Sequence, residues 1–205
     1  MEKHRTSKSE EWRRLAEQAL WIAHSLFDRG KTSGTTANLS FRYGDLIYIT
    51  CSGSCFGTLQ EDQLTAVTPD GVPVNPDGPK PSKEFTLHQI LYQSSDKIRA
   101  VIHTHSPATV LWSCLPHENP RDVMPHITPY LDMKLGKVAE VPYAAPGSEE
   151  LFQAMRDSIG PERGYLLKNH GGIVGGTSLM NAFEGIEELE QTAWLAKELI
   201  HCSRG

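Results

Sequence analysis

The sequence predicts an α/β protein in which a mixed sheet is covered by helices. Three observations lead there. Long amphipathic patterns stand near both ends of the chain, short apolar runs of strand length lie between them, and clusters of turn-forming residues separate those runs. The chain has 205 residues, 39% of them hydrophobic and 22% charged. That length is close to the ~100–200 residues of one domain, so a single domain over residues 1–205 is expected, with residues 1–8 disordered.

The first helix is expected from about Ser7 to Asp28. Ser7 and Glu10 have the spacing of a capping box, Trp12, Leu15, Leu20, Ala23, Leu26 and Phe27 make a broad apolar stripe, and Gly30 supplies a stop. A loop of small residues, Thr32 to Asn38, precedes strand-like runs at Leu39–Tyr43 and Leu46–Thr50. Residues 68–81 are crowded with Pro, Gly, Asp and Asn and read as turns. Ser82 is placed to cap a helix carrying Leu87, Ile90, Leu91 and Ser94 on one side. Residues 100–105 form a buried strand, 116–129 a long irregular connection, 140–143 a short strand, and 164–167 another that ends in Asn169-His170-Gly171-Gly172. A last helix over 178–200 aligns Ala182, Phe183, Ile186, Leu189, Ala193 and Trp194.

Charge and composition exclude several function classes. A formal net charge of -5 argues against a general nucleic-acid binder, which needs a basic surface. No apolar run approaches the ~20 residues of a membrane span, and the opening residues lack the apolar segment of a signal peptide. The four cysteines, at 51, 55, 114 and 202, have neither the density of a disulfide framework nor a C-x-x-C spacing. Reduced thiols in a cytoplasmic protein are expected.

The chain holds nine histidines, and their placement carries most of the chemistry. His103 and His105 sit two apart in a strand, where side chains share a face, so both imidazoles can meet one ion. The same spacing fits two hydrogen-bonded histidines at a strand end. A tetrahedral site needs further ligands. His170 is a candidate because it ends an apolar run, and Gly171 and Gly172 let the backbone turn or approach a ligand closely; alone it is equally a polar residue at a loop junction. Glu84, near a helix start, suits either a general acid/base or metal-ligand role or simple favour by the helix dipole. His88, four residues later on the same face, fits a supporting role behind Glu84 better than a ligand role. His4, His24, His117, His126 and His201 have surface or packing contexts. Three small-residue segments, Gly34–Asn38, Thr50–Ser54 and Ser82-Lys83, can present N–H groups and hydroxyls to phosphate, although each is also an ordinary turn composition.

With these residues in place, the chain resembles the class II aldolase family over roughly residues 11–200. Asn38-Leu39-Ser40, Ser82-Lys83-Glu84, His103-Thr104-His105 and Asn169-His170-Gly171 occur in the family's order. The resemblance implies a three-layer α/β/α fold around a central mixed, mainly antiparallel sheet. It implies that His103, His105 and His170 hold one divalent metal ion per subunit, Zn2+ foremost, with Mn2+ or Co2+ as alternatives. Glu84 matches the catalytic carboxylate, and Tyr130 a tyrosine acid supplied by an adjacent subunit. Thr35, Asn38, Ser52, Gly53, Ser82 and Lys83 match phosphate-binding positions. A homotetramer with sites at subunit interfaces is implied, with no nucleic-acid or membrane partner.

Pro81-Ser82-Lys83-Glu84, Thr128-Pro129-Tyr130, Val141-Pro142-Tyr143, Pro146-Gly147 and Glu187–Ala193 look like the family's decarboxylating branch. This implies metal-dependent loss of carbon dioxide from a 3-oxo four-carbon acid sugar phosphate, giving dihydroxyacetone phosphate. Lys83 and Cys51-Ser52-Gly53 depart from the sugar-phosphate aldolases, which commonly carry serine and a proline-threonine-glycine turn there. The alternatives are a class II aldolase cleaving a phosphorylated sugar such as fuculose 1-phosphate, and a non-catalytic adducin-like interaction module. The second predicts missing metal ligands, whereas all three histidines and Glu84 are present.

Overall fold

A computed structural model describes residues 9–202 of the chain. The expected cap Ser7 and the expected disorder of residues 1–8 lie outside the described residues. Helix α1 spans Glu10–Asp28 and is capped by Ser9, whose hydroxyl accepts from the Trp12 N–H at 3.2 Å. Its buried stripe is Trp12, Ala16, Ala19, Ile22, Ala23 and Leu26. Leu15, Leu20 and Phe27, which the periodicity placed in that stripe, are only partly buried at its flank. Gly30, at φ 67°, ends the helix as expected.

Strands β1 (Asn38–Tyr43) and β2 (Leu46–Thr50) form a hairpin, followed by β3 (Leu64–Val67), helix α2 (Phe85–Ser94) and strand β4 (Ala100–Thr104). Helices α3 (Pro107–Ser113) and α4 (Pro129–Lys134) precede β5 (Val138–Val141), and α5 (Glu149–Ser158) leads to β6 (Gly164–Leu167), β7 (Gly171–Gly176) and α6 (Leu179–Cys202). Among the described residues the strands form one seven-stranded sheet in the order β3-β2-β1-β4-β7-β6-β5. Neighbours are antiparallel except β5 and β6, which run parallel. The predicted mixed, mainly antiparallel sheet is therefore present.

Period-two alternation divides the strands between two cores. Leu39, Phe41, Ile102, Leu166 and Val174 pack with α1, α3, α4 and α6 on one face. Ile47, Ile49, Val101, Tyr165, Leu167 and Ile173 pack with α2 and α5 on the other. This is the three-layer α/β/α arrangement.

Several elements differ from the sequence expectations. Ser82 does not cap α2; Glu84 occupies the N-cap position and makes no side-chain cap hydrogen bond, which leaves its carboxylate available elsewhere. Ser94 is exposed, and Phe85, His88 and Tyr92 join the buried face instead. Trp194 is 44% exposed rather than part of the α6 core stripe. Gly171 and Gly172 begin a strand, and the turn before them is made by Asn169 at φ 54°. Strands β3 and β7 and helices α3, α4 and α5 differ from the sequence expectations, which contain none of them: β7 is four glycines around Ile173-Val174, the others are short, and α3 and α4 begin at prolines within the N-terminal turn.

Candidate metal centre and substrate cavity

The register of the central strands builds the site. Asn38 pairs with His103 across β1 and β4, and His103 pairs with Ile173 on β7. Side chains directly opposite one another in a sheet share a face, so Asn38 and His103 both look toward α2. His105 follows one residue beyond the end of β4, and His170 sits in the turn between β6 and β7. Glu84 reaches the same point from the start of α2.

Glu84, His103, His105 and His170 each bring one ligand atom to a cluster in which all such atoms lie within 4.8 Å of one another. His103 Nε2 is 3.0 Å from His105 Nε2. Glu84 Oε2 is 3.4 Å from His103 Nε2, and Glu84 Oε1 is 3.4 Å from His170 Nε2. Ligand atoms held roughly 2.0–2.1 Å from a tetrahedral zinc would stand about 3.3 Å apart.

Protonation and tautomer sharpen that fit. Burial, reinforced by the neighbouring His105, pushes His103 down to about 3. Burial also lowers His105 and His170. All three rings are therefore neutral near pH 7, the form that ligates metal. His103 Nδ1–H donates to the Gly172 carbonyl at 2.9 Å, so its Nε2 carries a lone pair directed at Glu84 and His105. Neither ring nitrogen of the buried His170 has a hydrogen-bond partner among the described residues. Lone pairs converging on a carboxylate repel one another unless a cation lies between them. The cluster thus has the donor set, spacing and protonation of a divalent-metal site.

Above it opens a cavity of about 380 Å³ lined by Thr35, Asn38, Ser52, Gly53, Ser82, Lys83, Glu84 and His105, among others. Every expected phosphate-binding residue lines this one cavity. Tyr130 does not: it stands 57% exposed on α4. Cys51, Ser54, Pro146 and Gly147 also line the cavity. In the sequence Pro146-Gly147 is only a point of family likeness, because a Pro-Gly turn carries no sign of which distant loops it will meet.

Behind the cluster two supports were not assigned from the sequence. Glu190, buried on α6, accepts from the Ala108 N–H (3.2 Å), the Thr109 N–H (2.8 Å) and the Thr109 hydroxyl (2.8 Å), capping α3 just after His105. Asn38 donates through Nδ2 to Glu84 Oε2 at 3.1 Å, and its Oδ1 accepts from His88 Nε2 at 2.5 Å.

A three-layer fold in which a carboxylate and three neutral imidazoles cluster together, with Glu84 and His105 of that cluster lining a cavity rich in hydroxyls, describes a class of enzymes able to bind a metal. The chain belongs to the class II aldolase and adducin N-terminal domain family, which it matches over residues 17–196. It is 39% identical over 182 residues to an Escherichia coli (strain CFT073) protein named 3-oxo-tetronate 4-phosphate decarboxylase, covering 88% of this chain and 85% of that one. An L-fuculose phosphate aldolase of Methanococcus maripaludis (strain C7) is 34% identical over 174 residues, covering 85% of this chain and 91% of that one. The crystal structure of YgbL from Klebsiella pneumoniae superposes with a TM-score of 0.86 at 37% identity, covering 91% of this chain and 90% of that one. No helix among the described residues is long and apolar enough to cross a membrane.

Proposed function

We propose that the chain is a carboxy-lyase that converts a 3-oxo-tetronate 4-phosphate into dihydroxyacetone phosphate and carbon dioxide. The observation that carries this reading is the placement of Glu84, 3.4 Å from both His103 and His170, at the floor of the cavity that holds Lys83. Its agreement with relatives named for that decarboxylation supports the choice of substrate.

His103, His105 and His170 would hold one divalent ion, with zinc favoured by an all-imidazole set that can close to four-coordinate geometry. Bound there, the ion supplies Lewis-acid polarisation of the substrate ketone. When the C1–C2 bond breaks, its electron pair passes toward the C3 ketone and C1 departs as carbon dioxide. Glu84, having taken up a proton from solvent on Oε1, then delivers it to C2 to balance the loss, while Asn38 steadies its Oε2. Thr35, Ser52, Gly53, Ser82 and Lys83 surround the 4-phosphate with hydroxyls, N–H groups and one ammonium. They bind ground state and transition state alike, so their loss raises KM more than it lowers kcat. Tyr130 serves the site of a neighbouring subunit in a homotetramer, which accounts for its exposure here.

The decisive experiment is product analysis with 3-oxo-tetronate 4-phosphates of each configuration. Carbon dioxide beside dihydroxyacetone phosphate supports the decarboxylase, whereas an aldehyde released from a phosphorylated sugar such as fuculose 1-phosphate makes the chain an aldolase. Glu84→Gln is expected to retain metal and lose turnover, and His103→Ala to lose metal. A Glu84→Gln variant that decarboxylates at the native rate removes Glu84 from the proton transfer.

A further inference from the structure

Beneath Glu84 the interface between α2 and β1 is polar where the rest of that core is apolar. Glu84, His88 and Tyr92 are spaced i, i+4, i+8 and form one stripe on α2, while Asn38 and Ser40 alternate on β1 beneath them. The side chains interleave in a continuous series. Tyr92 OH lies 2.8 Å from Ser40 Oγ, Ser40 Oγ 2.7 Å from His88 Nδ1, His88 Nε2 2.5 Å from Asn38 Oδ1, and Asn38 Nδ2 3.1 Å from Glu84 Oε2. His88 and Ser40 are 0% exposed and Tyr92 2%, so water does not reach the links among these three, whereas Asn38 and Glu84 end the series at the cavity wall.

Only one direction of donation satisfies the series. A carboxylate accepts and cannot donate, so Asn38 must offer it the NH2 group and keep Oδ1 for His88. His88 must then carry its proton on Nε2, leaving Nδ1 to accept from the Ser40 hydroxyl, which in turn accepts from Tyr92. Reversing the series would set the Asn38 carbonyl against the Glu84 carboxylate. We propose that Tyr92, Ser40 and His88 are positioning residues: they lock the amide of Asn38 and thereby hold Glu84 with Oε2 tethered and Oε1 free to act at the histidine cluster. Burial also keeps His88 neutral, pushed down to about 3, so the lock does not switch over the working pH range. This inference rests on the role proposed above for Glu84.

The test combines a spectroscopic and a kinetic measurement. Imidazole 15N spectra of the purified protein, with and without added zinc, should show His88 as the Nε2–H tautomer, unchanged between pH 5 and 8. An Nδ1–H tautomer or a ring that titrates in that range overturns the proposal. Glutamine places an amide nitrogen near the position of histidine Nε2, whereas asparagine is too short. His88→Gln is therefore expected to keep kcat within about 3-fold, and His88→Asn to lower it about 10–100-fold, the usual effect of losing a supporting partner, with KM little changed. In an Asn38→Ala background His88→Asn should cause no further loss, because its effect passes through Asn38. Tyr92→Phe and Ser40→Ala are milder changes to the same series and should each lower kcat less than His88→Asn. Equal kcat in His88→Gln and His88→Asn, or additive losses with Asn38→Ala, overturns the proposal while inactive Glu84→Gln leaves the site reading intact. Fully active Glu84→Gln would instead remove the site reading itself.

Discussion

Replacing Gly171 by alanine tests whether the close approach of the β6–β7 hairpin to β4 sets the geometry of the histidine cluster. Gly171 starts β7 between His170 and Gly172, and a Cβ added to it would lie 2.4 Å from the Thr104 carbonyl oxygen, 3.2 Å from His105 Cδ2 and 3.3 Å from His105 Cα. Restoring an ordinary contact of about 3.4 Å to that oxygen requires a movement of roughly 1 Å. The obstructing atom is backbone, so no rotamer change absorbs the clash. Either the end of β4, bearing His103 and His105, or the turn bearing His170 must move. Overpacking of this kind costs about 1–3 kcal/mol, which for a chain of this size lowers Tm by about 2–12 °C. A displacement near 1 Å in the catalytic constellation lowers turnover on the order of 100-fold. Differential scanning calorimetry, metal content after dialysis and steady-state kinetics measure the three consequences. Gly172→Ala is the control. Its Cβ would meet Leu189 Cδ2 at 2.4 Å, the movable end of a side chain on α6. It should lose stability yet keep turnover within a few-fold. If Gly171→Ala matches the parent in Tm, metal content and kcat, the close approach does not control the site.

Glu190→Ala should destabilise the protein by about 3 kcal/mol, because it strips charge-assisted hydrogen bonds from three buried donors at the start of α3. Denaturant unfolding with an unchanged midpoint would refute that role. Stability of the metal-free protein should also fall in acid. The buried His88 protonates only near 3, whereas the unfolded ring does so near 6.5. The unfolded state therefore takes up the proton first, and stability that is undiminished above pH 6.5 declines as the pH falls toward 3. For His88 alone the loss between pH 7 and pH 5 is about 2 kcal/mol, and urea titrations should show a shallower pH slope in His88→Gln. Tyr130→Phe should leave stability within about 0.5 kcal/mol, given its exposed position. Mixing it with inactive Glu84→Gln subunits should recover activity that neither possesses alone, as long as Tyr130 works across an interface.

Much of the site was legible as separated motifs. His103 and His105 declare a shared face through strand periodicity, and Ser82-Lys83-Glu84 and Thr35 to Asn38 have the composition of ligand-binding loops. Their order along the chain made the family resemblance specific. The helix boundaries were less legible. Ser82 has the composition of a cap, yet the helix starts three residues later and Glu84 takes the cap position with its carboxylate turned to the histidines. Local propensity favours a serine cap, and only the tertiary position of β1 and β4 gives the carboxylate a better use. Helix α5 is amphipathic and capped by Ser148, so its signals do stand in the sequence. The short β3 and α3 carry too little pattern to stand out.

The sequence by itself determined the alternation that builds two cores, the histidine pair two residues apart at the end of β4 and the donor-rich loops. These are local properties, set by residue type and by the periods of helix and strand. The tertiary structure decided which atoms meet. It brought His170 from a distant turn to His103, placed Glu84 between them, and interleaved His88 and Tyr92 with Asn38 and Ser40. Strand register and helix packing fix those distances, and both depend on contacts between residues dozens of positions apart. A metal site needs its ligand atoms fixed to within fractions of an ångström, a requirement that spacing along the chain cannot meet until the sheet has formed.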